Sequence, residues 1–335
     1  LAMGRMGGEE LNFNSDLDIL FVYDLKGRAL PHTESLGPQT SYQPEQETHD
    51  AQRSLVYGSP PSGEVSAKPD EVSAKTDQVA PIGEASATEF YVRVAQRFIS
   101  LMNMPMKQGL GYRVDMRLRP SGRVGPLVVS LDSFRDYYRA EAMLWERQAL
   151  VRARVVAGHP GLGEKLMEEV HRFAYEAPIP PDSAHEIRRL RRRMEIEIAR
   201  ETDNRFNLKS GRGGLVDVEF TIQYLQLIHG RDFPGVRQAN TLKAMHALKN
   251  EGLLAGHNFH VLKNGYEYLR RVETHLRIVH DFSADEIRFD SEAADRLARS
   301  LGYKAQKDRS ASEAMREEYL RVTRNVREVY DRLVV

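Results

Sequence analysis

The chain has 335 residues, 29% of them charged and 41% hydrophobic, with 48 basic and 48 acidic side chains. This length supports two domains with sizeable cores, and the charge balance gives no global basic field for nonspecific nucleic-acid binding. The absence of cysteine excludes disulfide scaffolds, thiolate-bound zinc and a thiol nucleophile; with no apolar run near the roughly 18 to 20 residues that span a bilayer and no signal-peptide pattern, a cytoplasmic protein acting on neither membrane nor nucleic acid is expected.

Leu1 to Gly4 reads as the end of a strand entering a glycine turn, and so as part of a longer protein. Leu17 to Tyr23 is short, aliphatic and aromatic, the pattern of a buried strand, with Asp16 and Asp18 at its opening. From Gly27 to Ala87 the composition shifts to Pro, Ser, Gly, Glu, Thr and Lys, with an imperfect repeat at Glu64 to Asp70 and Glu71 to Asp77. Such a segment carries too little apolar surface to offset ordering entropy, and it is expected to be a disordered insertion.

Ser86 to Glu89 has the form of a capping box, followed by Phe90, Val94, Ile99 and Met102 at helical spacing. Gly111 to Arg119 alternates, with Tyr112, Val114, Met116 and Leu118 on one face and Arg113, Asp115, Arg117 and Arg119 on the other. Leu127 to Ser130 is a short apolar run, Ser133 to Leu150 a helix carrying Trp145, and Arg152 to Val156 a third short strand. Beyond Pro160 the pattern is almost wholly helical, with breaks near 178–181, 209–214 and 231–235. The predicted organisation is α+β: a mixed sheet-and-helix domain over 1–160, interrupted at 27–87, then an α-helical bundle over 161–335.

Alternate strand residues face the same way, so the Asp16 and Asp18 side chains converge. Two carboxylates that close repel unless a cation lies between them, and an oxygen-only set favours magnesium, which takes one or two carboxylates plus substrate phosphates. Asp115 supplies a third carboxylate for a two-metal site, flanked by Arg117 and Arg119 as phosphate-binding types. Gly7 and Gly8 permit close approach of backbone to phosphate and Ser15 adds a hydroxyl. The pattern points to a metal-dependent nucleotidyl-transfer site with ATP as substrate.

The stretch from Gly4 to Asp18 (GRMGGEELNFNSDLD) resembles the signature of polymerase-beta-like nucleotidyltransferases. More narrowly it is similar to bacterial glutamine synthetase adenylyltransferase, the bifunctional adenylylating and deadenylylating enzyme. Further matches are Tyr112 to Gly122 (YRVDMRLRPSG), Trp145 to Arg154 (WERQALVRAR) and Gly213 to Tyr224 (GGLVDVEFTIQY). The resemblance implies one half of a two-half enzyme, a nucleotidyltransferase domain followed by a helical bundle. The RLRPSG, WERQA and GGLVDVEF forms are closer to the adenylylating half, whereas Tyr268 to Glu273 followed by Asp285 and Glu286 is common to both.

On that resemblance, ATP would lie against Gly7, Gly8 and Ser15, with Asp16, Asp18 and Asp115 as metal and catalytic residues and a glutamine synthetase tyrosine as acceptor. The signalling protein PII is an implied partner. Alternatives are the deadenylylating half, in which phosphate attacks AMP-tyrosine to release ADP, a uridylyltransferase acting on PII, and a noncatalytic module that binds nucleotide or PII.

Three other features have plainer readings. Glu186 to Arg200 holds six arginines, but Ile187, Leu190, Met194 and Ile198 form an apolar stripe that leaves the charges on a solvated face. Gly211 to Gly214 reads as an inter-helix turn, with phosphate binding beside Lys209 as the alternative, and Asp217 with Glu219 as an anchor of the bundle to the first domain. The eleven histidines show no metal-ligand spacing.

Overall fold

The structure, a computed structural model, describes residues 1–13, 15–24, 84–104, 112–280 and 285–335. It is α+β and dominated by helix. After a single helical turn, α1 (Gly4–Gly7), the Leu17 to Tyr23 segment forms two short strands, β1 (Leu17–Asp18) and β2 (Phe21–Tyr23). Between them, at the buried Leu20, the chain changes partner: β1 runs parallel to β3 (Val114–Asp115), and β2 parallel to β4 (Val128–Ser130). On the other edge of β1 the Met3 N–H donates to the Asp18 carbonyl (2.9 Å), and Ala2 bridges in turn to Arg154. The expected third strand at 152–156 is reduced to this bridge.

The alternation predicted from Gly111 to Arg119 ends early. Val114 and Met116 pack with Leu17 and Ile19, but the chain then turns, and Ser121 and Gly122 take consecutive left-handed conformations (φ 58° and 56°). The helix predicted from Ser133 to Leu150 is two helices, α3 (Leu131–Ala140) and α4 (Leu144–Leu150). Glu146 restarts the second by accepting a hydrogen bond from the Met143 N–H (2.8 Å).

Of the expected insertion, 27–83 lies outside the described residues; 84–87 begin a helix, α2 (Glu84–Met102), two residues before the predicted capping box. Its buried side centres on Ala87 and Ala95, with Tyr91 stacked on Tyr23 and Phe98 edge-on to Phe21. Phe90 and Val94, which recur at helical spacing with Ile99 and Met102, are exposed.

The remainder is helical: α5 (Pro160–His171) and α6 (Ser183–Met194), each extended by a π-helical turn, then α7 (Leu215–His229), α8 (Thr241–Asn250), α9 (Gly256–His280), α10 (Glu292–Ser300) and α11 (Ala311–Leu333). A small antiparallel pair not anticipated from the sequence, β5 (Arg205–Asn207) with β6 (Glu286–Arg288), is inserted among them. α7 to α11 share one core around Ile222, Phe259, Leu269, Tyr319 and Val326. A second core joins Met3, Leu20 and Phe134 to Leu166, Val170 and Phe173, and includes Ile187, Leu227 and Tyr330, so helices after 160 pack against the strands that precede it.

Arg191 corrects the solvated-face reading of Glu186 to Arg200. Its side chain is wholly buried, donating to Asp217 (2.5 Å) and to the carbonyls of Ser210 and Gly211 (3.0 and 2.6 Å). Ile198, assigned to the apolar stripe, is exposed. A charged side chain is fully buried only when paired and hydrogen-bonded, and Asp217 completes its own set with the Gly213 N–H (2.5 Å) and Arg327 (3.4 Å).

Candidate active site

A cleft of about 360 Å³ opens where the β1 and β3 strands meet the helical part of the chain. It is lined by Gly4, Arg5, Ser15, Asp16, Asp18, Asp115, Arg117, Leu118, Arg152, Lys209, Glu219, Arg277 and Asp285. Five carboxylates and five cations thus face one space, and most of them are already paired with each other.

Asp18 and Asp115 are direct partners across the parallel β1 and β3 pair, where neighbouring strands lie about 4.8 Å apart. Asp16 is two residues upstream of Asp18 and so on the same side. Burial first, and then the nearby charges of Asp115 and Asp16, push the Asp18 carboxyl up to about 6, with Lys209 opposing the shift. Asp115 is differently placed, because Arg117 clamps it: the backbone N–H donates at 2.8 Å and Nε at 2.6 Å, and the hydrogen bond to Asp115 raises the guanidinium above its ordinary value.

Among the described residues, no group of three or more His, Asp or Glu side chains is arranged to hold a metal ion. The three-carboxylate set expected from the sequence is therefore not preformed. Asp16 and Asp18 remain, two acids that make no side-chain ion pair or hydrogen bond among the described residues, which matches the one or two carboxylates that magnesium takes from protein.

The segment from Gly4 to Ser15 is held from behind by the helices. Arg5 donates to Glu273 of α9 (2.5 Å), and Glu273, fully buried, also receives Arg270 (2.6 Å) and Arg277 (3.1 Å). Burial alone would raise the Glu273 carboxyl; the three arginines overcome that and hold it below the ordinary glutamate value. Glu10, also buried, accepts from Arg152, from the Tyr266 hydroxyl (2.8 Å) and from the Thr241 N–H at the start of α8 (2.6 Å). Arg152 in turn reaches Glu219 of α7 (3.3 Å), and Arg277 donates to the Phe13 carbonyl (2.8 Å) and pairs with Asp285 (3.0 Å). Ser15 accepts from the Asn12 N–H (2.9 Å) and from Arg277 (3.3 Å), which leaves its O–H to donate.

Two sequence assignments do not fit this geometry. Gly7 and Gly8 are outside the cleft lining, and their N–H groups are spent inside the turn on the Met3 and Gly4 carbonyls (2.7 and 3.1 Å). Their lack of a side chain serves packing: a Cβ on Gly7 would lie 1.8 Å from the Arg152 carbonyl oxygen, and one on Gly8 would lie 2.5 Å from the Arg152 guanidinium. The glycine that the cleft requires is Gly4, at φ 49°, where a Cβ would meet an Asp18 carboxylate oxygen at 2.2 Å. Arg119 likewise leaves the cleft, because the turn after Met116 sends its guanidinium to the carbonyls of Met116 (2.7 Å) and Gly125 (3.2 Å).

Sequence reasoning passed over Arg5, Glu10, Arg152, Glu273 and Arg277 as site residues. Their signal was faint but present: Glu10 sits between the glycines and Asp16, and Arg152 and Glu273 fall inside the motifs noted above. Glu219 makes the link between halves expected of it, whereas Asp217 acts within the helical part, on α6 and α11.

Comparison with known proteins places the sequence beside one enzyme family. Residues 1–43 and 72–169 match the family model of glutamate-ammonia ligase adenylyltransferase. The chain is similar to the glutamine synthetase adenylyltransferase family. Residues 186–334 match the model of GlnD PII-uridylyltransferase. Among curated relatives, the bifunctional glutamine synthetase adenylyltransferase/adenylyl-removing enzyme of Hahella chejuensis is 30% identical over 303 residues, 90% of this chain and 26% of that protein. The enzyme of the same name from Streptomyces avermitilis is 32% identical over 333 residues, 99% of this chain and 28% of that protein. The chain therefore spans about a quarter of the length of the curated relatives it matches. Among the described residues no helix is long and apolar enough to cross a membrane.

Proposed function

We propose that this chain is an adenylylating nucleotidyltransferase segment, transferring AMP from ATP to a tyrosine hydroxyl of glutamine synthetase with magnesium as cofactor. The observation that carries this reading is the pairing pattern of the cleft: among the described residues Asp16 and Asp18 make no side-chain ion pair or hydrogen bond, beside arginines neutralised from behind. The family relationship supplies the acceptor.

Asp16 and Asp18 would hold the magnesium, which when bound neutralises charge on the phosphates. The phenol oxygen attacks the α-phosphorus, a new P–O bond forms, and the bond to the bridging oxygen breaks to release pyrophosphate. The phenolic proton, on a group whose ordinary pKa is near 10, passes to the acid cluster. Arg5, Arg152 and Arg277, anchored by Glu273, Glu10 and Glu219, shape the walls and keep them rigid. Ser15 offers its O–H to the phosphate chain. The division of the chain at residue 160 belongs to the same proposal.

α-labelled ATP, magnesium and unmodified glutamine synthetase should together place label on the acceptor tyrosine; transfer that persisted in Asp16→Asn would remove the assignment. A second reading is favoured by the uridylyltransferase match over 186–334, namely uridylyl transfer to PII, and UTP in place of ATP separates the two. Adenylylated glutamine synthetase with inorganic phosphate, read as ADP release, separates the deadenylylating half.

A further inference from the structure

Of the five cations that line the cleft, four are occupied. Arg5 is paired with Glu273, Arg117 with Asp115, Arg152 with Glu10 and Glu219, and Arg277 with Glu273 and Asp285. Lys209 is the exception: among the described residues its ammonium makes no hydrogen bond or ion pair, although the side chain is half-buried and faces the same space as Asp16 and Asp18.

The backbone that carries Lys209 is the opposite of free. Strand β5 leads into it, the buried Leu208 donates its N–H to the Asp285 carbonyl (2.7 Å), and the Lys209 and Ser210 N–H groups both donate to Asn207 Oδ1 (3.1 and 2.7 Å). The Lys209 carbonyl accepts from Val216 in the first turn of α7 (3.0 Å). A side chain so firmly based, whose charged end feels Asp18 only at a distance and among the described residues makes no ion pair, is held ready for an anion that is not part of the protein.

We propose that Lys209 receives the phosphate chain of the incoming nucleotide, so that the helical part of the chain supplies the positive charge that, among the described residues of the cleft, no carboxylate neutralises. This rests on the nucleotidyl-transfer reading above and extends it by naming the group that recognises the polyphosphate. The contrast lies in charge rather than in donors: each cleft guanidinium has a carboxylate within 4 Å that neutralises it, whereas the compact ammonium of Lys209 brings three donors and a charge with no such carboxylate among the described residues.

The test is calorimetric titration of the full 335-residue chain with ATP and, separately, with inorganic tripolyphosphate, both with magnesium, for the wild type, Lys209→Gln and Lys209→Arg. Charge-assisted hydrogen bonds of this kind correspond to about tenfold or more in affinity. Lys209→Gln should weaken both ligands by at least that factor, Lys209→Arg should restore most of it, and the melting temperatures of the three proteins should agree. Equal affinity of Lys209→Gln and wild type for both ligands would overturn the proposal. Tripolyphosphate binding that depends on Lys209, without ATP binding, would uphold the phosphate site and remove the nucleotidyl-transfer reading. Absence of both from the wild type would remove both.

Discussion

Glu273→Gln is the most direct perturbation of the joint between the Gly4 to Ser15 segment and the helices. The Glu273 carboxylate is wholly buried and receives Arg5 at 2.5 Å, Arg270 at 2.6 Å and Arg277 at 3.1 Å. Glutamine keeps the shape and one acceptor oxygen but removes the charge. Arg277 retains Asp285 and Arg270 retains the Glu10 carbonyl (2.7 Å), so the loss falls mainly on Arg5, which among the described residues has no second ion-pair partner. Breaking a buried pair from one side costs about 3–5 kcal/mol, and the remaining oxygen places Glu273→Gln near the low end, about 3 kcal/mol.

The assay is urea unfolding at several pH values, read as a change in midpoint at constant slope. Because the folded carboxyl is held below its ordinary value, its contribution is present above pH about 4.5 and is lost as pH falls through the lower, folded value. The gap between wild type and Glu273→Gln should therefore be full at pH 7 and narrow below pH 4.5. A gap under about 1 kcal/mol at pH 7, or one that stays constant into acid, would refute the three-arginine account.

Asp18 has the reverse sign: its carboxyl is raised to about 6, so without metal the ionised form opposes folding above that pH. Asp18→Asn should be more stable than wild type at pH 7 by something on the order of 2 kcal/mol, lose that advantage below pH 4, and lose AMP transfer at every pH. Gly7→Ala brings a Cβ to 1.8 Å from a backbone oxygen and should destabilise by about 3 kcal/mol in thermal melts, while nucleotide affinity of the folded fraction stays unchanged. Arg119→Ala removes hydrogen bonds to the Met116 and Gly125 carbonyls and should cost about 1–2 kcal/mol of stability with no change in the KM for ATP.

The parts of the site that lie on short-range pattern were legible in the sequence. The same-face placement of Asp16 and Asp18, and of Asp115 opposite hydrophobic Val114 and Met116, follows from a period of two, and the strand register sets Asp18 beside Asp115. The period failed where a turn replaced the strand: Arg119 has the right parity but stands beyond the bend at Met116. Glycine type was read correctly and its cause was not, since only the packing of Arg152 against Gly7 and Gly8 shows why a side chain is forbidden there. Arg191 lies off the stripe of Ile187, Leu190, Met194 and Ile198 and so reads as solvated, and nothing local to α6 shows that Asp217, 26 residues on, pairs with it.

The pairing pattern also bears on how the two parts of the chain depend on each other. Arg5 and Arg152 come from the strand-bearing part and find their acids on α9 and α7. Glu10 finds a hydroxyl on α9 and an N–H at the start of α8, and Arg277 of α9 reaches back to Phe13 and Ser15. Arg5, Glu10, Arg152, Glu273 and Arg277 are buried, and a buried charge without its partner is strongly destabilising, so each part contributes partners on which the other's buried charges depend. Asp16 and Asp18 face the opposite condition, crowded with like charge and, among the described residues, without a side-chain ion pair or hydrogen bond. A fold that pairs its buried arginines with carboxylates, yet among the described residues leaves Asp16, Asp18 and Lys209 outside any ion pair in a single cleft, directs a cation and an anion to the same place.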